Sequence, residues 1–137
     1  MAERVAAFLA ERCLPPYAPP PDVVSNSRTA LRLGELAREL GLHGAFHDRV
    51  MDAYWAEGRD IGDVDVLRRV SVEVGLHEED VDAVISSERY LDVVRASTAE
   101  AISIGVTGIP GFLLHQRLLV VGAQPNEVFE QAFAQLD

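Results

Sequence analysis

Few residues in this chain can do chemistry, and their spacing excludes most of what they could do. Cys13 is the single cysteine, so these residues hold no intrachain disulfide and no CxxC redox pair. It falls at the end of an expected short helix and reads as a small buried hydrophobe. The alternative is a lone redox thiol working through mixed disulfides. His43 and His47 are four apart and can share a helix face, as zinc ligands do. No Glu follows His43 as in HExxH, and no third ligand is evident. His77 and His115 are isolated polar positions and read as surface residues. Asp60, Asp63 and Asp65 resemble a fragment of a calcium loop, but the glycine and closing glutamate are not at the required spacing. Helix capping explains Asp63 more simply. Gly105, Gly108 and Gly111 recur every third residue, which is not a dinucleotide fingerprint, and a helix precedes them where a strand is required. No catalytic constellation, metal site or cofactor site is indicated.

The remaining feature is Ile109-Pro110, set between Gly108 and Gly111 in the stretch GVTGIPGFLLHQRLLVVGAQ (105–124). On physical grounds alone an X-Pro bond is trans by default. Phe112-Leu113-Leu114 and Leu118-Leu119-Val120-Val121 are apolar runs too short for helices, with His115, Gln116 and Arg117 between them. They predict a buried two-stranded hairpin.

The elements that must position this stretch are mostly helical. Residues 2–12 predict an amphipathic helix with Val5, Phe8 and Leu9 on one side. LPPYAPPPDVV (14–24) follows, with five prolines in seven positions, and reads as an extended spacer more readily than as a ligand for an aromatic groove. Ser25-Asn26-Ser27 offers N-cap oxygens for a helix to about Leu40, with Ala30, Leu33, Leu36, Ala37 and Leu40 inward and Gly41 ending it. A second helix, about 44–56, places Phe46, Val50, Ala53 and Tyr54 inward, with Met51 and Trp55 widening the stripe. After the loop GRDIGD (58–63), a helix over 64–74 buries Val66, Leu67, Val70 and Val74, and Gly75 stops it. HEEDVDAVIS (77–86) predicts a short helix with Val81, Val84 and Ile85 inward. Ser87 then caps a long helix to about Ile104 with a stripe of Leu91, Val94, Thr98, Ala101 and Ile102. Short loops make these helices antiparallel neighbours. Pro125 sits at a natural first helical position, and Val128, Phe129, Ala132, Phe133 and Leu136 recur at helical spacing beyond it.

Composition narrows the class. A chain of 137 residues, 48% hydrophobic and 25% charged, suits one soluble core. Its net charge of −10 argues against nucleic acid as a partner. All basic residues are arginine, which reads as compositional bias. No segment approaches the apolar length a membrane helix needs. The start, MAERVAAFLAERCL, lacks the uninterrupted apolar core of a signal peptide, so a cytoplasmic location is expected.

Taken together, the order of elements resembles the DsbA-like family of disulfide oxidoreductases, which have a thioredoxin fold with an inserted helical domain. Within it the chain is similar to the cytoplasmic FrnE-like branch. NSRTALRLGELARELG (26–41) resembles the opening of the helical insertion, and FHDRVMDAYWAEGRDIGDVDVL (46–67) its next helix pair. GVTGIPGFLL (105–114) resembles the cis-proline loop and following strand, and VVGAQPNEVFEQAF (120–133) the last strand and helix. The resemblance spans about residues 23–137. It implies a cis Ile109-Pro110 bond, and it implies that these two residues contact a protein or peptide thiol substrate. Two departures stand out: Gly111 follows the proline where many relatives have Thr or Phe, and the hairpin turn lacks glycine.

A larger departure is the absence of the family's opening strand, CxxC helix and second strand. The expected fold class is therefore α/β, mostly helical: a truncated thioredoxin-like fold with an inserted helical subdomain. The expected divisions are a helix and proline-rich connector (1–24), the helical subdomain (25–104) and a ββα unit with the cis-proline loop (105–137). A lone hairpin is a poor sheet with exposed edges. Two copies covering each other's hairpins are the simplest closure, so a homodimer is expected. The expected role is that of a binding or vestigial module. The alternative is a thiol-disulfide oxidoreductase or glutathione-linked isomerase whose redox part lies outside this chain.

Overall fold

The apolar stripes become helices in the computed structural model, which describes residues 2–13, 18 and 21–136. In chain order the elements are α1 (Ala2–Glu11), α2 (Arg28–Glu39), α3 (His43–Met51), a π-helical turn (Asp52–Ala56), α4 (Val64–Glu73), α5 (Glu78–Ile85), α6 (Leu91–Ser103), β1 (Gly111–Leu114), β2 (Leu118–Val121) and α7 (Asn126–Ala134). The architecture is mostly helical α/β, with one antiparallel two-stranded sheet among the described residues. Of the proline-rich connector, Leu14 to Tyr17, Pro19 and Pro20 lie outside the described residues.

The chain divides into two compact units, Met1–Val94 and Arg95–Asp137. The first has a continuous core. Ala30, Leu33, Leu36 and Ala37 of α2 meet Phe46 and Val50 of α3, Leu67 and Val70 of α4, and Val81 and Val84 of α5, with Ala53, Ile61 and Leu76 closing the gaps. Each set recurs at three- and four-residue spacing, so one face of each helix leaves water.

Three helices end in the same way, at a glycine. Gly41, Gly75 and Gly105 each take a positive φ immediately after the helix, where a side chain would be strained. After α2 the Gly41 amide donates to the Arg38 carbonyl and the Leu42 amide to Ala37, the paired bonds of a Schellman motif. Gly75 with Leu76 does the same after α4, donating to Val72 and Ser71. At the other ends, the Asp63 side chain accepts the Asp65 amide at 2.8 Å and starts α4, as expected. Asp60 accepts the Gly62 amide at 2.8 Å, and the Ser25 hydroxyl and this amide together hold its carboxyl below the usual carboxylate range.

One buried cation organises the return from α5 to α6. Arg32, on α2 and only 7% exposed, donates from Nε to the Arg89 carbonyl at 2.8 Å. Its Nη2 donates to the carbonyls of Val84 and Ser87. The carbonyls that end a helix carry partial negative charge, so the guanidinium fits that position better than a neutral side chain would. Glu39 reinforces the turn by accepting the Tyr90 hydroxyl at 2.6 Å and pairing with Arg89 at 3.3 Å.

Several expectations are corrected. Ser87 does not cap α6: its hydroxyl donates to the Ala83 carbonyl at 2.6 Å and closes α5, while Glu88–Tyr90 turn the chain and α6 begins at Leu91. Leu40, expected inward, is half exposed at the C-cap of α2. Trp55 is also half exposed, because the π-turn adds a residue and the 3.6-residue rhythm of α3 stops applying there. In the second unit Thr98, Ile102, Val128 and Phe133 are exposed rather than packed inward.

Replacing Arg32 with Met keeps an apolar stem but strips the donors from three carbonyls. The change is expected to cost about 3 kcal/mol of stability, and Arg32→Lys less. Urea unfolding followed by Trp55 fluorescence measures both.

Candidate functional site

The stretch around Pro110 is built by local rules within the Arg95–Asp137 unit. α6 stops at Gly105, whose φ is +93°, with the Gly105 amide donating to Ile102 and the Val106 amide to Ala101, each at 3.0 Å. This motif turns the chain out of the helix and places Val106 where its Cγ1 would lie 3.3 Å from a Cβ at Gly111, so a side chain at the start of β1 would need Val106 to give by a few tenths of an ångström. Between them the Ile109–Pro110 peptide bond is cis.

The hairpin then holds the loop from the other side. β1 pairs with β2 in antiparallel register, Gly111 opposite Val121, Phe112 opposite Val120, Leu113 opposite Leu119 and Leu114 opposite Leu118. One residue beyond the last pair, the Gly122 amide donates to the Pro110 carbonyl at 2.7 Å. Gly122 reaches that position with a φ of +88°. The Gln124 side chain donates to the Val121 carbonyl at 2.8 Å and closes the turn that follows. Behind the sheet, the rings of Phe112 and Phe129 meet edge to face, 5.0 Å apart. His115 and Gln116 make the hairpin turn with positive φ at both, the conformation of a type I′ turn, although neither is glycine.

The two residues expected to meet a substrate are therefore held from both sides and exposed. Ile109 is 93% exposed, and its backbone makes no hydrogen bond among the described residues. From Gly105 to Leu114 no side chain is ionisable. The loop can recognise a chain through backbone groups and an apolar side chain, but it has no acid, base or nucleophile of its own.

The other candidates are dispersed. Cys13 is exposed, which corrects the expectation of a buried hydrophobe; it ends the turn after α1, with its amide donating to the Ala10 carbonyl. The rings of His43 and His47 stack 6.3 Å apart, but His43 Nε2 contacts the Arg38 guanidinium and His47 Nδ1 faces Asp48. No group of three or more His, Cys, Asp or Glu side chains is arranged to hold a metal among the described residues. Asp65 pairs with Arg68, and Asp60 and Asp63 are engaged in the loop and cap.

Two features escaped the sequence reading. One is the Pro110–Gly122 bond, which the hairpin register could have located, since Gly122 follows the residue opposite Gly111. The other is an open apolar cleft of about 330 Å³ lined by Leu113, Leu114, His115, Phe133 and Leu136. Periodicity had assigned Phe133 to the core and concealed it.

Comparison with known proteins bears on this geometry. Residues 6–134 match the DSBA-like thioredoxin domain. The crystal structure of a probable DsbA oxidoreductase from Streptomyces coelicolor superposes on 98% of this chain with a TM-score of 0.84 at 35% identity. An uncharacterized protein of Bacillus subtilis strain 168, YwbO, is 29% identical over 99 residues, or 72% of this chain. The chain spans 58% of the length of the former and 49% of the latter.

Gly122→Ala forces a side chain into the left-handed region and is expected to cost about 1–2 kcal/mol locally. Amide exchange across residues 106–122 should quicken by about tenfold. Gly122→Asn, which tolerates that region, should lose less.

Proposed function

We propose that this chain, which belongs to the DSBA-like thioredoxin domain family, is a peptide-recognition module related to the disulfide oxidoreductases, without a dithiol centre of its own. The observation that carries this reading is the Ile109-Pro110 loop, braced by the Pro110–Gly122 bond and exposed, with the Ile109 backbone groups unengaged among the described residues. An extended chain laid beside such a loop gains main-chain hydrogen bonds from Ile109, and its neighbouring side chains gain apolar contact. The ligand class is a protein or peptide thiol. Redox turnover needs a second sulfur to resolve a mixed disulfide, and these 137 residues carry one. The resemblance noted above supports the FrnE-like branch and a cytoplasmic location as part of this proposal.

A second reading, a thiol-disulfide oxidoreductase whose dithiol is carried outside these residues, is favoured by the 58% coverage of the probable DsbA oxidoreductase at a TM-score of 0.84. Insulin reduction separates the two. The chain alone is expected to bind an extended cysteine-containing peptide in calorimetry and to leave insulin reduction at the background rate. Ile109→Asp should weaken binding by about tenfold, or about 1.4 kcal/mol. Turnover by the chain alone, or unchanged affinity in Ile109→Asp, would overturn the recognition reading.

We further propose that two copies associate through the hairpin unit, because Leu113, Phe133 and Ile102 leave apolar surface there and the sheet has open edges. Sedimentation velocity is expected to give a dimer at micromolar concentration. A monomer throughout that range would contradict the proposal.

A further inference from the structure

The outer edge of β1 is open along its length, and the strand register fixes which groups it offers. The Gly122 amide donates to the Pro110 carbonyl, and along an antiparallel pair the residues that face the partner strand alternate. Phe112 and Leu114 therefore turn their amides and carbonyls toward β2, while Gly111 and Leu113 turn theirs outward. Those outward groups make no hydrogen bond among the described residues. Ile109, equally unengaged, stands two residues before Gly111. Edge strands are ordinarily blunted by a charge, a proline or a bulge. β1 reads Gly-Phe-Leu-Leu and pairs with β2 in unbroken register, so it has none of these.

The apolar cleft of about 330 Å³ lies at the same margin. Leu113 and Leu114 point to opposite faces of the sheet, so a cavity that both line opens at its border. Phe133 of α7 and Leu136 beyond it complete the wall, to which no described residue of β2 contributes. Phe133 is 55% exposed, so its ring is free to take a further apolar contact.

Charge selects the occupant. From Gly105 to Leu114 no side chain is ionisable, but the hairpin turn carries Arg117, two residues beyond His115 of the cleft wall. Arg117 is exposed, and its guanidinium has no carboxylate partner among the described residues. A free cation at one end of an uncharged edge fits a strand that is apolar along its length and acidic at that end. A second copy fits less well, because two β1 strands paired antiparallel would set each Arg117 against the other's uncharged loop.

We propose that a peptide engaged at Ile109 continues along β1 as an added strand, paired through the backbone of Gly111 and Leu113. It seats an apolar side chain in the cleft between Leu113 and Phe133 and sets a carboxylate at Arg117. This placement rests on the recognition reading of the Pro110 loop and extends it to a ligand class: an extended apolar segment with an acidic end. The β2 edge is left to a second copy.

The probe is a peptide alternating valine and threonine about one cysteine, with a terminal aspartate, titrated into the full chain by calorimetry. An added strand pairs through every second amide, so N-methylation in one phase should weaken binding by about tenfold and in the other by less than about twofold. Phe133→Ser should weaken it by about fivefold through lost apolar contact. Arg117→Gln should abolish a preference of about threefold for terminal aspartate over asparagine. Equal losses in both phases, or none in either, would overturn the proposal; if Ile109→Asp still weakened binding, the Pro110 reading would stand. Phase-dependent binding that Ile109→Asp left unchanged would support the added strand and overturn the loop reading. Affinity that fell as protein concentration rose would put a second copy on this edge and overturn the proposal, and no binding of any form would overturn both. The N-methylation arm uses the unmodified chain, so it decides even where a variant fails to fold.

Discussion

A hairpin of two four-residue strands backed by a nine-residue helix offers too little surface to bury its own apolar side chains. That constraint governs the Arg95–Asp137 unit. Val120 and Ala132 are buried in it, whereas Ile102, Leu113 and Phe133 are about half exposed or more, and Ile109 is almost fully exposed. What holds the unit together is instead backbone geometry: a Schellman motif at Gly105, the hairpin register, and the Pro110–Gly122 bond. The same facts support the recognition role proposed for the loop. Its backbone groups are held in place, its side chains are apolar, and no ionisable group from Gly105 to Leu114 is available to move a proton.

The helical unit solves the opposite problem. It has apolar surface enough for a core, and its difficulty is to turn a chain of short helices back on itself without stranding carbonyls. Glycines do this after α2 and α4. After α5 no glycine is present, and Arg32 reaches across from α2 to satisfy the carbonyls of Val84, Ser87 and Arg89. Where the π-turn ends, part of that task falls to the Ala18 amide.

Much of this was legible in the residues. Three- and four-residue spacing located the described helices, glycine after an apolar stripe located two helix ends, at Gly41 and Gly75, and Asp63 before Val64 located a cap. The hairpin followed from two apolar runs bounded by polar residues. What failed did so for physical reasons. A stripe states which face of a helix is apolar and not whether a neighbour covers it, so Phe133 and Ile102 were placed in a core that does not extend to them. Arginine is ordinarily a surface residue, so nothing in the sequence of α2 marked Arg32 as buried; its partners are backbone atoms more than fifty positions away. Ser87 has the chemistry of an N-cap, but it serves the helix before it. The π-turn has no sequence signature, and Trp55 turned outward with it. The candidate site was partly legible. Ile109 and Pro110 stood out by their glycine neighbours and by resemblance, whereas the Gly122 bond that braces them depends on the strand register.

The most direct test of the central claim is to map where an extended cysteine-containing peptide contacts the full chain, by following its amide chemical shifts through a titration. Recognition by the Pro110 loop predicts shifts concentrated at Thr107–Ile109, Gly111 and Gly122, saturating together with one affinity. Shifts confined to the helical unit, or no shifts at any peptide concentration reached, would contradict it.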